Sequence, residues 1–263
     1  MPQIVEILAP SGTGKTTLYK GLQKKWRPDD PWAVYHDFRY KRKLRYRFPE
    51  DYVKSFGRKL SDFTSDFLSS DIQYKKRSVD TRPNEKIFYE HHPKFCDSAI
   101  ELIAEHNKSG FNNKDKRFLN TFFFFETIEH LQAVLNHSDD KRDCVMDEGL
   151  LSRLMHLNSP TFSDRELNMY LEHMPVPSAV FYLKCETEFI VERIFSRQKR
   201  ATVHKGLSRE EILKTTLNTQ HLMEKTLNLL PESRTSVIEV DAQKDADDLI
   251  EFVHRSLKAR NLN

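Results

Sequence analysis

Five short apolar runs, rich in β-branched and aromatic residues, interrupt an otherwise polar chain: "QIVEIL" (3–8), "WAVYHD" (32–37), "CVM" within "RDCVMDEGLLSR" (142–153), "SAVFYLKC" (178–185) and "TSVIEVDA" (235–242). Each is four to eight residues or shorter and bounded by polar or turn-forming residues, which predicts strands. The segments that follow three of them, "KTTLYKGLQKKW", "ETEFIVERIFSRQKR" and "DADDLIEFVHRSLKAR", carry helical spacing instead. Strands alternating with helices predict an α/β fold, a parallel sheet with helices on both faces. From about 50 to 140 no strong strand pattern appears, so this stretch reads as a helical insertion. In it, "DSAIELIAEHN" predicts a helix starting at Asp97, with Glu101 near its first turn. The segment "KRFLNTFFFFETIEHLQAVLNH" is long, apolar on most sides and free of Pro and Gly. Its four phenylalanines, 122 to 125, point all round a helix and predict one buried in the core, or a stacking platform for a ligand from one of the rings.

In an open parallel sheet, ligands collect at the carboxyl ends of the strands. At the end of the first strand stands "APSGTGKTT", residues 9 to 17. Gly12 and Gly14 lack a Cβ, so the backbone there can curl with its N–H groups turned inward around an anion. Lys15 supplies a mobile ammonium for outer phosphates, and the Thr16 hydroxyl stands where it can ligate magnesium. The whole run Pro10, Ser11, Gly12, Thr13, Gly14, Lys15, Thr16 and Thr17 is the expected phosphate-binding segment of a P-loop (Walker A) site for ATP and Mg2+. Ala9 replaces the first glycine of the usual pattern and is the smallest substitute for it. Asp37 ends the second strand. Asp147 and Glu148 end the third, where Asp147 is the expected magnesium partner of Thr16 and Glu148 either orients a metal-bound water or contacts substrate.

Transfer of a phosphoryl group needs positive charge around the moving group. Arg193, Arg197 and Arg200 are spaced by four and three, so on one helix they share a face. Ser208 and Glu211 then form an expected capping box for the next helix. Helix, basic segment, helix is the order of a mobile lid, at about 193–208.

Together "APSGTGKTT", "VMDEG", "FYLKCETEFIVERIFSRQKR" and the closing "VIEVDA" resemble the nucleoside and nucleotide kinase group of P-loop proteins, thymidylate kinase in particular, over roughly 1–37 and 142–260. The resemblance implies a five-stranded parallel core, phosphate and magnesium roles for Lys15 and Thr16, and closure of Arg193, Arg197 and Arg200 over the transferring group. It also implies that Asp37, at the end of the second strand, is the general base for an acceptor hydroxyl; the alternative is a turn acid paired with Arg39. The chain departs from the group after the third strand. Thymidylate kinases show Asp-Arg-aromatic there and deoxynucleoside kinases Glu-Arg-Ser, whereas this chain has Asp147, Glu148 and Gly149. Arg153, one turn on, is the candidate substitute for the missing arginine.

Composition adds limits. With 263 residues, 38% of them hydrophobic, the chain can bury one sizeable core, and the reading is one domain carrying the insertion and the lid. Cys96, Cys144 and Cys185 are odd in number and far apart, which predicts buried thiols in a reducing, cytoplasmic setting rather than a disulfide frame or a zinc site. No apolar run is long enough to span a bilayer. The positive charge is local: "RYKRKLRYR" (39–47) holds six basic residues, and taking them from the net +3 leaves −3. Its interleaved tyrosines suit a small anionic acceptor, nucleic acid, or plain solvated surface. A kinase of a small nucleoside-, nucleotide- or sugar-like acceptor explains most of these features. The alternatives are a kinase acting on nucleic acid and a nucleic-acid-coupled ATPase in which Glu148 activates water. A GTP switch lacks its guanine-reading motif, since "NNKD" at 112–115 puts Lys116 where the aspartate belongs.

Overall fold

The structure is a computed structural model that describes residues 2–27, 29–35, 83–106, 117–137, 139–157, 162–197, 204 and 206–260. Asp37, the basic segment 39–47, Arg200 and the insertion before residue 83 lie outside the described residues.

Strands β1 (Ile4–Leu8), β2 (Trp32–Val34), β3 (Asp143–Met146), β4 (Ala179–Lys184) and β5 (Ser236–Asp241) form one five-stranded sheet in the order β2-β3-β1-β4-β5. Every pairing is parallel, as the strand and helix alternation predicts. Helix α1 (Lys15–Lys25) follows β1. Among the described residues, helices α2 (Pro83–His91), α3 (Pro93–His106) and α4 (Arg117–Leu135) lie between β2 and β3, and α5 (Leu150–His156) and α6 (Asp164–Glu172) follow β3. Helices α7 (Thr187–Phe195) and α8 (Arg209–Asn228) separate β4 from β5, and α9 (Ala246–Arg260) closes the described chain.

The two-residue period of the strands sorts their side chains onto two faces. Leu8, Ala33, Cys144, Met146, Val180 and Tyr182 face one apolar cluster, shared with α2 to α6 and the later half of α8. Val5, Ile7, Trp32, Val34, Val145, Phe181 and Leu183 face the other, shared with α1, α7 and α9. All three cysteines are buried and none is in a disulfide, in agreement with the expectation of buried thiols. Cys185 lies one residue beyond β4 rather than inside it. Among the described residues no helix is long and apolar enough to cross a membrane.

Three expectations need correction. Helix α3 begins at Pro93, four residues before Asp97; proline suits a first helical turn, whose N–H groups have no intrahelical partner, and Phe95 and Cys96 extend the buried stripe backwards. Helix α4 is not buried all round: Phe124 is 1% exposed, Phe122 37% and Phe118 85%. Only the stripe Phe124, Ile128, Leu131 and Val134 is fully in the core. Helix α7 ends at Phe195 rather than running through 200. Its buried stripe, Ile190, Val191 and Ile194, stops there, and the Ser196 hydroxyl turns back to donate to the Arg193 carbonyl at 3.1 Å.

Helices α1 and α9 pack together closely enough to exclude a side chain at Gly21, where a Cβ would lie 2.1 Å from Ile250 Cδ1. Gly21→Ala is therefore expected to lower the unfolding free energy by about 1–3 kcal/mol in a denaturant titration, although alanine is the better helix former. An unchanged or raised midpoint would contradict this packing.

Candidate functional site

The loop after β1 enters α1 through two glycines in the left-handed region, Gly12 at φ 108° and Gly14 at φ 104°. Conformation is one reason for glycine there, and the approach of α7 is a second. A Cβ at Gly12 would meet Ile190 Cγ2 and Ile194 Cγ1, each at 2.9 Å, and one at Gly14 would lie 3.3 Å from Arg193 Nη2. The Thr13 hydroxyl donates to the Pro10 carbonyl at 2.9 Å, bracing the turn from inside. Gly14 is the N-cap of the eleven-residue α1, and no side chain caps that end. Its first-turn N–H groups and the positive end of the helix thus face the loop. Thr16 and Thr17 are exposed beside it.

The sheet order sets β3 next to β1, with Glu6 opposite Met146, and so brings the end of β3 to the loop. The Lys15 ammonium donates to the backbone carbonyl of Asp147 at 2.7 Å. Asp147 is half-buried and Glu148 exposed at its edge. Glu148 accepts from Arg153 Nη2 at 2.8 Å. Burial raises its pKa, but the charges of Lys15, Arg153 and His156 outweigh that and hold the carboxyl below its ordinary range. Arg153 is fixed on three further sides. Its Nε donates to the Thr127 hydroxyl at 2.6 Å, its Nη1 lies 3.2 Å from His156 Nδ1, and its guanidinium stands 5.2 Å from the centre of the Phe123 ring. One of the four phenylalanines thus meets the site through an arginine. Between α3, α4, α5 and α6 a small pocket opens beside Arg153, lined in part by Asn120, Phe123, His156 and Tyr170.

On the other side of the loop, Arg193 Nη1 donates to the Thr13 carbonyl at 3.1 Å, and its guanidinium lies 5.4 Å from the Phe189 ring. Arg197 stands exposed beyond the end of α7, so it does not share a helical face with Arg193. Ser208 and Glu211 do form the capping box of α8, with both reciprocal bonds present. Of the expected site residues, the structure brings Lys15, Thr16, Asp147, Glu148 and Arg193 together with the glycine turn.

Two residues at this edge have no warning in the sequence spacing. His204 is buried, and its Nε2 lies 3.1 Å from the Ser11 hydroxyl of the loop. Glu6, an acid in the middle of the central strand, is 1% exposed and reaches the turn after β3; a charge inside a run that must be buried was its available signal.

Among the described residues no group of three or more His, Cys, Asp or Glu could hold a metal by itself. Magnesium usually binds through one or two protein oxygens, with phosphates and water completing its shell. Thr16 and Asp147 each offer such an oxygen, and the Lys15 contact sets the two segments that carry them side by side.

No family model and no curated protein matches the chain. Among solved structures it is similar to deoxyadenosine kinase from M. mycoides with dCMP and a flexible dCDP bound, at 14% identity and TM-score 0.49, over 97% of this chain and 99% of that one. It is also similar to shikimate kinase from Bacteroides thetaiotaomicron, at 13% identity and TM-score 0.39, over 99% of each chain. At these TM-scores neither likeness carries weight; the sheet order and the loop geometry do.

His156 keeps an exposed edge, yet the protein packed around its ring and the neighbouring Arg153 and Lys15 push it down to about 4, against the pull of Glu148. The unfolded chain, with its ordinary value of 6.5, then binds the proton first. The contribution of this residue to stability is full above about 6.5 and is lost as pH falls toward 4. An NMR titration of the His156 ring is expected to show a midpoint near 4; one at or above 6.5 would contradict the arrangement around Arg153.

Proposed function

We propose that the protein is an ATP-dependent phosphotransferase of the P-loop kinase kind, moving the γ-phosphoryl group of ATP to a hydroxyl or phosphate of a small nucleoside-, nucleotide- or sugar-like acceptor. The observation that carries this reading is the contact of Lys15 with the end of β3, which sets the glycine turn, a mobile ammonium and two strand-end acids at one edge. The N–H groups of the turn and of the first turn of α1 receive the β- and γ-phosphates. Lys15 leaves the Asp147 carbonyl to neutralise the outer oxygens. Thr16 and Asp147 hold magnesium, which when bound supplies charge neutralisation on the triphosphate.

The acceptor lies on the side of Arg153 and of the insertion of about 50–140, outside the pocket between α3, α4, α5 and α6, which has room for no more than about one water molecule. On that side Arg153 takes the place of the arginine absent at 148. Its guanidinium is already ordered by Glu148, Thr127 and Phe123, so little entropy is lost when it steadies an oxygen. Asp37 serves as general base, orienting the acceptor hydroxyl. Arg193 braces the loop, while Arg197 and Arg200 close over the transferring group from the lid at about 193–208. The basic segment 39–47 attracts an anionic acceptor, and the buried, unbridged thiols fit a cytoplasmic setting.

The ATPase alternative needs Glu148 turned to a water. Its carboxylate is instead bonded to Arg153 at 2.8 Å, which favours transfer to an acceptor over hydrolysis.

Labelled ATP offered with nucleosides, nucleotides, sugars and oligonucleotides is expected to yield a phosphorylated small molecule. Lys15→Ala and Asp147→Asn are each expected to lower turnover by about 100-fold or more, and Arg153→Ala to raise the KM for the acceptor more than that for ATP. ADP formed at the same rate with and without every acceptor would contradict the proposal, as would full activity in Lys15→Ala.

A further inference from the structure

Glu6 occupies the middle of β1, hydrogen-bonded to strands on both sides, where a charged side chain is costly unless its oxygens are satisfied. They are satisfied by the start of α5. Oε1 accepts from the N–H groups of Gly149 at 3.1 Å and Ser152 at 2.7 Å, and Oε2 from that of Leu151 at 3.2 Å. The N-cap residue of α5 is Gly149, which has no side chain to do this. Glu6 therefore caps the helix from a different element of the fold. Burial pushes its carboxyl up, while the N–H groups of Ser152 and Leu151 and the charge of Lys15 act in the opposite sense.

Gly149 makes room for this arrangement. A Cβ there would lie 2.4 Å from Glu6 Oε2, and Gly149 is not in the left-handed region, with φ at −104°. Glycine is required here by the carboxylate rather than by backbone conformation. The two residues before it are Asp147 and Glu148, and the carbonyl of Asp147 holds Lys15. Glu6 is two residues from the end of the strand that leads into the phosphate loop.

We infer that Glu6 is a positioning residue for the proposed transfer: it clamps the Asp147–Glu148–Gly149 turn to the strand that carries the phosphate loop, and so fixes the metal-facing acid relative to Lys15 and Thr16. The inference rests on the phosphotransfer reading. A carboxylate that merely capped α5 would affect stability alone. A clamp on the turn also sets how much magnesium adds to nucleotide binding.

Glu6→Gln keeps the shape but turns one acceptor oxygen into a donor facing backbone N–H groups. The first measurement is amide hydrogen exchange in the metal-free protein. Wild type is expected to protect Gly149, Leu151 and Ser152, although N–H groups at a helix start normally lack partners, and Glu6→Gln to release them. The second is ADP binding by calorimetry with and without magnesium. Glu6→Gln is expected to keep the magnesium-free affinity within about twofold, while the gain from magnesium and the kcat each fall about 10- to 100-fold, the usual effect of removing a partner that orients a metal ligand. Gly149→Ala, reaching the same contact from the other side, is expected to reproduce the pattern and to add little on top of Glu6→Gln.

A folded Glu6→Gln protein with lowered stability but the full magnesium gain and full kcat would overturn the inference. So would rapid exchange of the three amides in wild type, a result that needs no variant. If Glu6→Gln fails to fold, Gly149→Ala decides by the same readouts. A wild-type protein that binds magnesium and ADP but phosphorylates no acceptor removes the phosphotransfer reading instead, and the magnesium gain still decides for or against the clamp.

Discussion

Lys15 reaches the carbonyl of Asp147 at 2.7 Å because β1 and β3 are parallel neighbours in register, with Val5 opposite Val145 and Glu6 opposite Met146. Parallel pairing sends both chains out of the sheet on the same side, so a lysine at the start of α1 meets residues just past β3 without any long loop. The same rule puts β4 on the other flank of β1, and α7, which follows β4, falls against the glycines of the loop. The loop is thereby held between α7 and the β3 turn. Its shape is imposed by packing on both sides.

Charge at this edge is arranged in the same economical way. The ammonium of Lys15 and the guanidinium of Arg153 both act on Glu148, holding its carboxyl low, and both act on His156, helping to keep it neutral. Arg153 is anchored on α5, braced by Thr127 of α4 and stacked near Phe123. Helix α4 thus contributes to the site through a hydroxyl and a ring while its Phe124 stripe lies in the core. The space a side chain would take at residue 149 is filled by the Glu6 carboxylate, and the position before it carries the acid Glu148. The positive charge at this strand end arrives instead from one helical turn away.

The strands were legible as short apolar runs, because β1, β3 and β4 are buried on both faces, and most helices from three- to four-residue stripes, as in α1, α7 and α9. The glycine turn was legible from Gly12, Gly14 and Lys15 alone, although the second demand on those glycines, room for Ile190, Ile194 and Arg193, came from a helix some 180 residues away in the chain. What was misread depended on tertiary context. The arginine spacing of 193 and 197 implied a continuing helix, but α7 stops once its apolar stripe ends. The four phenylalanines implied full burial, and only Phe124 has it. Glu6, His204 and the link from Thr127 to Arg153 are contacts between distant segments, which no local pattern encodes. Asp37, Arg200 and residues 39–47 lie outside the described residues and keep the roles proposed for them.

In the proposed reaction the turn after β1 takes a triphosphate and Lys15 moves from the Asp147 carbonyl onto it. A crystal structure with a non-hydrolysable ATP analogue and magnesium tests this most directly. The β- and γ-phosphates are expected within the Gly12 to Thr16 turn, with the Lys15 ammonium transferred to their oxygens and the metal between Thr16 and Asp147. A triphosphate bound elsewhere, or Lys15 still seated on Asp147 with the turn empty, would contradict it.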